Sequence, residues 1–158
     1  MIFVTVGTQL QFERLVSMID DLAGELSLDV FAQTADPATD YTHIKHAPFL
    51  TPDEYDDLIS RATVLVGHAG IGTILTAKKV EKPVIVMPRM ASLGEHRNEH
   101  QLATVRHLDG HEGVYIARDR AQLAALLQMS DLAPARFSET PEKTRLQNYL
   151  HDFVYETS

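Results

Sequence analysis

Hydrophobic residues along the chain fall into two kinds of segment, which alternate. Short continuous runs rich in Val and Ile are typical of parallel strands covered on both faces, and longer stretches with an apolar residue every three or four positions are typical of helices. The runs predict strands at residues 1–6, 28–34, 43–47, 63–66, 83–87 and 113–116. The periodic stretches predict helices at residues 12–26, 51–61, 71–80, 98–108, 119–129 and 140–155. This alternation predicts an α/β fold, a Rossmann-like parallel sheet with helices on both faces.

The start of the second helix is the best-defined boundary in the sequence. Thr51 supplies an N-cap, Pro52 fits the first helical position, and Glu54 places an acid at the third. A hydroxyl at the N-cap and a carboxylate at the third position satisfy two amides that the helix itself leaves unpaired. We therefore expect this helix to begin at Pro52 and to end near Arg61.

Composition narrows the function classes. A chain of 158 residues with 44% hydrophobic content suits one domain, taken here as residues 1–158. A net charge of −8 argues against a general binder of nucleic acid or anionic membranes. The absence of cysteine excludes disulfides, thiolate catalysis and Cys-type zinc sites, and it favours the cytoplasm. No run approaches the roughly 20 apolar residues of a membrane span, so we expect membrane association to be peripheral and through a partner.

Two glycine turns each follow a predicted strand. Gly7-Thr8-Gln9 follows the first strand, and the sequence HAGIGT at residues 68–73 follows the fourth. Free amides at a helix start bind phosphate, but an ordinary strand-to-helix turn has the same sequence features. The second turn matches neither the Walker pattern nor the dinucleotide pattern. His68 is open to two interpretations, a hydrogen-bonded structural residue or a catalytic one.

A polar loop follows the fifth predicted strand, at the same edge of the sheet as the glycine turns. It is either a solvated charged loop or a ligand site in which Arg recognises phosphate or carboxylate and Glu or Gln recognises sugar hydroxyls. A metal pair made of His96 and His100 is a third alternative, although the order H-E-x-x-H is not met, and we expect no metal. The polar residues of this loop are Arg89, Glu95, His96, Arg97, Asn98, Glu99, His100 and Gln101.

These motifs together resemble a known family. The segments at residues 4–8, 68–73, 82–83 and 98–101 resemble the donor-binding half of family 28 glycosyltransferases, including the catalytic subunit of the split UDP-N-acetylglucosamine transferase of the dolichol pathway. The segment at residues 87–101 is similar to PssE-like subunits of bacterial exopolysaccharide glycosyltransferases. The resemblance covers roughly residues 1 to 130. It implies the C-terminal, donor-binding domain of the GT-B fold.

The resemblance also implies partners. The expected donor substrate is a UDP-sugar with no further cofactor, and the acceptor is a saccharide linked to a polyprenyl diphosphate. A separate membrane-anchored PssD-like subunit would supply the acceptor domain, which places the chain at the cytoplasmic face of the membrane. The apolar stripe of the last predicted helix, around Tyr149, Phe153 and Val154, suits docking on that partner or packing in the core.

Site residues follow from the same resemblance. Thr8 would contact the diphosphate, the backbone near Leu50 would hold uracil, and Gln101 would approach the donor sugar. The Glu that binds ribose in the full-length peptidoglycan relative is Thr76 here, so Glu95 or another residue would have to replace it. The expected catalytic residues are His68, Glu95 and Arg97. The expected donor-binding residues are Gly7, Thr8, Gln9, Phe49, Leu50, His68, Gly70, Ile71, Gly72, Thr73, Arg89, Glu95, Asn98, His100 and Gln101.

The function predicted from these observations is an inverting glycosyltransferase subunit. Inversion needs a base on the acceptor hydroxyl and stabilisation of the leaving diphosphate. The glycine turns and loop arginines suit the second task, and His68 is the one candidate for the first. Arg89 and Arg97 favour glucuronic acid as the sugar, because a carboxylate needs a forked cation; the alternative is that both bind the diphosphate. Two other functions remain open, a non-catalytic nucleotide-binding or regulatory partner and, by fold analogy alone, a sugar-phosphate or dinucleotide enzyme.

Overall fold

The structure is a computed structural model that describes residues 1–96 and 100–137. The predicted last helix at 140–155, with its proposed docking residues Tyr149, Phe153 and Val154, lies outside the described residues. The strands are β1 (Ile2–Thr5), β2 (Val30–Gln33), β3 (Lys45–Ala47), β4 (Val64–His68), β5 (Val84–Met87) and β6 (Val114–Ile116). The helices are α1 (Glu13–Leu26), α2 (Pro52–Arg61), α3 (Ile71–Lys79), α4 (His100–Leu108) and α5 (Arg120–Leu127).

The six strands form one parallel sheet in the order β3-β2-β1-β4-β5-β6. This confirms the predicted α/β fold with a Rossmann-like sheet. Chain order reverses direction at the neighbours β1 and β4, where Ile2 pairs with Val64 and Thr5 with Gly67. The loops that leave these two strands diverge to opposite faces of the sheet, and such a switch point is where ligands bind in open α/β folds.

Helices cover both faces of the sheet, and alternate strand residues point to each. Val4 and Ile85 pack with α1 and α5 through residues such as Leu15 and Leu123. Phe3 and Val84 face the other way, toward α2, α3 and α4. Because both faces are buried, the strands need apolar residues at nearly every position, which explains their continuous apolar runs.

The start of α2 is as the sequence predicts. Thr51 accepts a hydrogen bond from the Glu54 amide at 3.3 Å, and the Glu54 carboxylate accepts from the Thr51 amide at 2.8 Å. This reciprocal capping box satisfies two amides at the helix start. The N-terminus of α2 is therefore already paired within the protein.

The first helix begins at Glu13, within one residue of the predicted start. Gly7 is six positions before it, so the turn after β1 leads into a loop and does not supply the helix-start amides that its sequence suggested. Gly7 itself has φ of 79°, a left-handed conformation that glycine adopts without strain. The loop between Gly7 and α1 is held by long-range contacts of Arg89, described below.

Candidate functional site

A cleft of about 470 Å³ opens at the carboxyl edge of the sheet, between the loops that follow β1 and β4. Its walls come from five places along the chain: the end of β1, the end of β2, the start of α2, the end of β4 and the first turns of α3. The lining residues are Thr5, Gly7, Thr8, Gln33, Leu50, Thr51, Pro52, Tyr55, Asp56, His68, Gly72, Thr73 and Thr76. Asp56 is the one acid among these described residues.

A second space of about 270 Å³ adjoins the first. The two share Gly7, Thr8 and His68, so together they form one elongated site with these residues in the middle. None of the described residues that line the second space carries a carboxylate. Its lining residues are Val6, Gly7, Thr8, Gln9, Leu10, His68, Arg89, His96 and Gln101.

The N-terminus of α3 borders the first space, where Gly72 and Thr73 are part of the lining. Its N-cap residue is Gly70, and no side chain caps it. A Cβ added to Gly72 would meet nothing within 4 Å, so the amides of the first turn stand beside open space. Helix-start amides and the helix dipole attract anions. The arrangement contrasts with α2, whose first turn holds its own carboxylates.

A buried glutamine joins the loops around the first space. Gln33, at the end of β2, accepts a hydrogen bond from the Thr5 hydroxyl at 2.9 Å. Its amide nitrogen donates to the carbonyl oxygens of Gly7 at 2.8 Å and Pro48 at 3.1 Å. The glycine turn after β1 and the loop before α2 are thus held at a defined separation. Gln33 was not among the predicted site residues, although a Gln inside an apolar strand is a visible sequence signal.

Arg89 was predicted to bind the donor, but its guanidinium is engaged by groups of the protein itself. Its side chain is 2% exposed, and its guanidinium stacks on the Phe12 ring at 4.8 Å from the ring centre. The guanidinium donates to four main-chain carbonyl oxygens: those of Val6 at 2.8 Å, Leu10 at 2.7 Å, Gln11 at 2.5 Å and Glu95 at 3.3 Å. The forked cation that seemed suited to a ligand carboxylate instead holds the loop between β1 and α1.

Glu95 is also engaged within the protein. Both its oxygens accept from Arg14, at 2.6 and 2.9 Å, and one also accepts from the Met90 amide at 2.8 Å. Burial alone would raise the pKa of Glu95, but the hydrogen bonds from Arg14 and Met90 outweigh it and lower the pKa. Glu95 is absent from the described lining of either space, so the expected catalytic or ribose-binding role has no geometric support here.

His68 stands at the junction of the two spaces. Burial, followed by the positive charge of Arg89, lowers the pKa of His68 to about 4, so the ring is neutral at pH 7. The ring lies over Gly70, where an added Cβ would come within 2.1 Å of the His68 Cε1 atom. Gly70 therefore makes room for the imidazole, whereas the sequence had suggested room for a phosphate. His68 Nδ1 is 2.9 Å from the amide nitrogen of Gln101.

Comparison with known proteins identifies the domain. The family model described as glycosyltransferase family 28 C-terminal domain matches residues 1–152. The chain belongs to glycosyltransferase family 28. Glycosyl transfer is therefore the reaction class of the domain. None of the curated proteins compared with the chain matches its sequence.

Solved structures agree with the fold of this family 28 domain. ALG13, determined by NMR, has 20% identity and a TM-score of 0.64, and the match covers 92% of this chain and 93% of ALG13. Acinetobacter baumannii MurG has 17% identity and a TM-score of 0.59, over 79% of this chain and 39% of MurG. Streptomyces sp. SF2575 glycosyltransferase SsfS6, complexed with thymidine diphosphate, has 19% identity and a TM-score of 0.54, over 82% of this chain and 33% of SsfS6. These similarities establish the Rossmann-like GT-B C-terminal domain fold.

The site of the family 28 domain contains most of the residues expected from sequence. Those that line it are Gly7, Thr8, Gln9, Leu50, His68, Gly72, Thr73, Arg89 and Gln101. Five others are not among the residues that line either space: Phe49, Gly70, Ile71, Glu95 and His100. Arg97 and Asn98 lie outside the described residues. Tyr55, Asp56 and His96 line the site and were not predicted. The helix start that holds Tyr55 and Asp56 has an ordinary structural explanation and gave no reason to select them, whereas His96 had been named as a polar residue of the candidate loop and as half of a possible metal pair.

Two findings concern metals and membranes. Within residues 1–96 and 100–137, no group of three or more His, Asp or Glu side chains is arranged to hold a metal ion. In the same part of the chain, no helix combines the length and the apolar character that a membrane span requires.

Proposed function

We propose that this domain is the donor-binding, catalytic subunit of a two-component inverting glycosyltransferase that uses a UDP-sugar. The observation that carries the proposal is the elongated site at the β1–β4 switch point, with the uncapped start of α3 bordering its first space. A nucleoside diphosphate sugar has three parts in a row, and we assign them in order to the first space, to the junction near the start of α3, and to the second space. Helix-start amides suit the diphosphate in the middle.

The nucleoside is assigned to the first space. Leu50 and the neighbouring main chain before α2 supply an apolar and hydrogen-bonding edge for uracil, and Thr8 and Thr73 supply hydroxyls for the phosphates. The ribose is assigned to Asp56. Its carboxylate is exposed and lines the same space as Thr76, the position at which the peptidoglycan relative carries its ribose-binding Glu. A carboxylate accepts hydrogen bonds from both hydroxyls of a diol.

The sugar is assigned to the second space, beside Gln9 and His96. We keep glucuronic acid as the proposed sugar, since the described lining of this space has no carboxylate to repel one and the buried cation of Arg89 lies in its wall. Because Arg89 is engaged by main-chain carbonyls, direct recognition of the sugar carboxylate is now assigned to Arg97 alone.

The acceptor domain is assigned to a second chain. The matched region is only 39% of MurG and 33% of SsfS6, so those proteins contain a further region that this chain does not match. A membrane-anchored PssD-like subunit would provide that region, together with the base and the polyprenyl-diphosphate-linked acceptor, in exopolysaccharide synthesis. The domain would then work at the cytoplasmic face of the membrane, held there by its partner.

Calorimetry with the isolated chain tests the donor site. We expect UDP to bind more tightly than ADP or GDP, because the space near Leu50 admits a pyrimidine next to fixed main-chain groups. Equal affinity for the three nucleotides would count against the proposed site. Turnover with a candidate partner in membranes then separates the two functions: a catalytic subunit gives sugar transfer when the partner is added and loses it in a Thr73→Val variant of its own site. A non-catalytic partner gives no sugar transfer in the same assay.

A further inference from the structure

Gln101, near the start of α4, has both ends of its amide engaged within the protein. It is 6% exposed, and the main-chain amide of Arg89 donates to it at 2.8 Å. Since a main-chain N–H can only donate, the atom that faces Arg89 must be the Gln101 oxygen. The amide nitrogen is then the atom that lies 2.9 Å from His68 Nδ1. The orientation of this side-chain amide therefore follows from its partners.

The orientation of Gln101 determines where the His68 proton is. An amide nitrogen can only donate, so His68 Nδ1 must be the acceptor. A neutral imidazole has one ring proton, and this proton must then be on Nε2. The Nε2 atom faces the turn after β1, because a Cβ added to Gly7 would lie 3.5 Å from it. Both Gly7 and His68 line the two spaces of the site.

We propose that Gln101 is a positioning residue that holds His68 in the tautomer with its proton on Nε2, so that His68 presents a hydrogen-bond donor to the ligand. Gln101 then acts through His68, and the base for the acceptor hydroxyl comes from elsewhere. The role of His68 toward the ligand rests on the proposed function, whereas the tautomer does not.

The alternatives to this tautomer each create a repulsive contact. With the proton on Nδ1, the His68 N–H and the Gln101 amide would point at each other across 2.9 Å. A doubly protonated ring would do the same. If the Gln101 amide were turned over, its oxygen would face His68 and accept the Nδ1 proton. The Gln101 amide nitrogen would then face the main-chain N–H of Arg89, and two donors would meet there. One arrangement of the three groups satisfies every hydrogen bond, and in it the lone pair of His68 is used by Gln101.

Nitrogen-15 NMR of the ligand-free chain, labelled at histidine, tests the tautomer. The His68 signals are identified by their loss in a His68→Gln variant, and the two ring nitrogens report which one is protonated. We expect a protonated Nε2 and an unprotonated Nδ1 at pH 7. A protonated Nδ1, or signals that average the two tautomers, would overturn the proposal. The tautomer itself is read from the unmodified chain, and the His68→Gln variant serves only to assign the signals.

A Gln101→Glu variant tests the positioning role. A carboxylate still accepts from the Arg89 amide, but it also accepts from His68, so the proton should move to Nδ1 or the ring should gain a second proton. The matched control is Gln122→Glu, since the Gln122 side chain also accepts a main-chain amide, that of Arg118 at 2.8 Å, on an exposed surface. We expect no change at His68 in this control. An unchanged His68 tautomer in Gln101→Glu would refute the positioning role.

UDP affinity tests the role of His68 toward the ligand. His68→Gln retains a donor and should bind UDP within a few-fold of the unmodified chain, whereas His68→Leu should lose about tenfold or more. Equal affinities of the two variants would overturn the donor role. If the unmodified chain binds no UDP at all, the proposed function fails while the tautomer can still be read, so the two failures are distinguishable.

Discussion

Replacement of Gly72 by Ala should make the protein more stable and its ligand binding weaker. Gly72 lies in the first turn of α3, and a Cβ there would meet no protein atom within 4 Å. Ala exceeds Gly in helix propensity by up to about 1 kcal/mol in a helix interior, and in a first turn we expect about half of that. For a domain of this size, the corresponding rise in Tm is about 1–2 °C.

The same methyl group projects into the site, where Gly72 lines the first space. If the diphosphate approaches the first-turn amides of α3, the methyl group prevents at least one hydrogen bond to a charged oxygen. Such a bond is worth about 1.5–3 kcal/mol. A loss of that size weakens UDP binding roughly 10- to 150-fold.

Thermal unfolding and calorimetry measure the two effects on the same samples. The control is Ser60→Ala in the last turn of α2, where the exposed Ser60 hydroxyl donates to the Asp57 carbonyl away from the site. This control should gain similar helix propensity and keep its UDP affinity. If Gly72→Ala folds with an unchanged or higher Tm and binds UDP as tightly as the unmodified chain, the amides of α3 do not hold the diphosphate.

Three further predictions concern the ribose, the sugar and pH. Asp56→Asn should weaken UDP binding about tenfold, the order of one hydrogen bond to a charged group. The same variant should bind 2′-deoxy-UDP almost as well as the unmodified chain does, and the control Asp57→Asn should keep its UDP affinity. Equal losses for UDP and 2′-deoxy-UDP in Asp56→Asn would contradict the ribose assignment. In the assembled enzyme, Arg97→Gln should lower kcat/KM for UDP-glucuronic acid more than for UDP-glucose, by an amount equivalent to about 1.5–3 kcal/mol of transition-state stabilisation. Replacement of the exposed Arg106 by Gln is the control. Parallel losses for both donors would assign Arg97 to the diphosphate. The pKa of His68 is about 4 in the folded chain and about 6.5 in the unfolded chain, so the unfolded chain binds more protons between pH 4 and pH 6.5. The stability that neutral His68 contributes is therefore complete above pH 6.5 and is lost as the pH falls toward 4. Urea unfolding measures the free energy of unfolding at pH 7 and at pH 5. The drop between the two pH values should be smaller for His68→Gln than for the unmodified chain, by an amount on the order of 1–2 kcal/mol. An equal drop in both proteins would refute the buried neutral state of His68.

The order of strands and helices could be predicted from the sequence because the signals are local. Continuous Val- and Ile-rich runs indicated the central strands, and β4 and β5 lie where such runs predicted them. The α2 boundary depends on residues three apart, Thr51 and Glu54, whose capping contacts form within one turn. A strand followed by a glycine turn also indicated, correctly, that the residues after β1 and β4 line a common cleft.

The turn after β1 shows where local signals were insufficient. The periodic apolar residues predicted the start of α1 to within one residue, but the glycine turn was expected to offer helix-start amides. The chain instead forms a loop between Gly7 and α1, where Arg89 donates to the carbonyl oxygens of Val6, Leu10 and Gln11. These contacts join residues 78 or more positions apart, as between Arg89 and Gln11. No periodicity around Gly7 carries information about them.

What the sequence by itself determined is therefore the α/β fold, the carboxyl-edge location of the site and the residue types available there. Tertiary structure decided which of those residues face a ligand. Arg89, Glu95 and Gln101 are polar residues of one loop region, and all three looked equally suited to binding. The roles of these three residues depend on burial, because a polar group removed from water needs hydrogen-bond partners from the groups that the fold places next to it. For Arg89 these partners are main-chain carbonyls, for Glu95 they are Arg14 and Met90, and for Gln101 they are Arg89 and His68, a residue that only the pairing of β4 with β5 brings close.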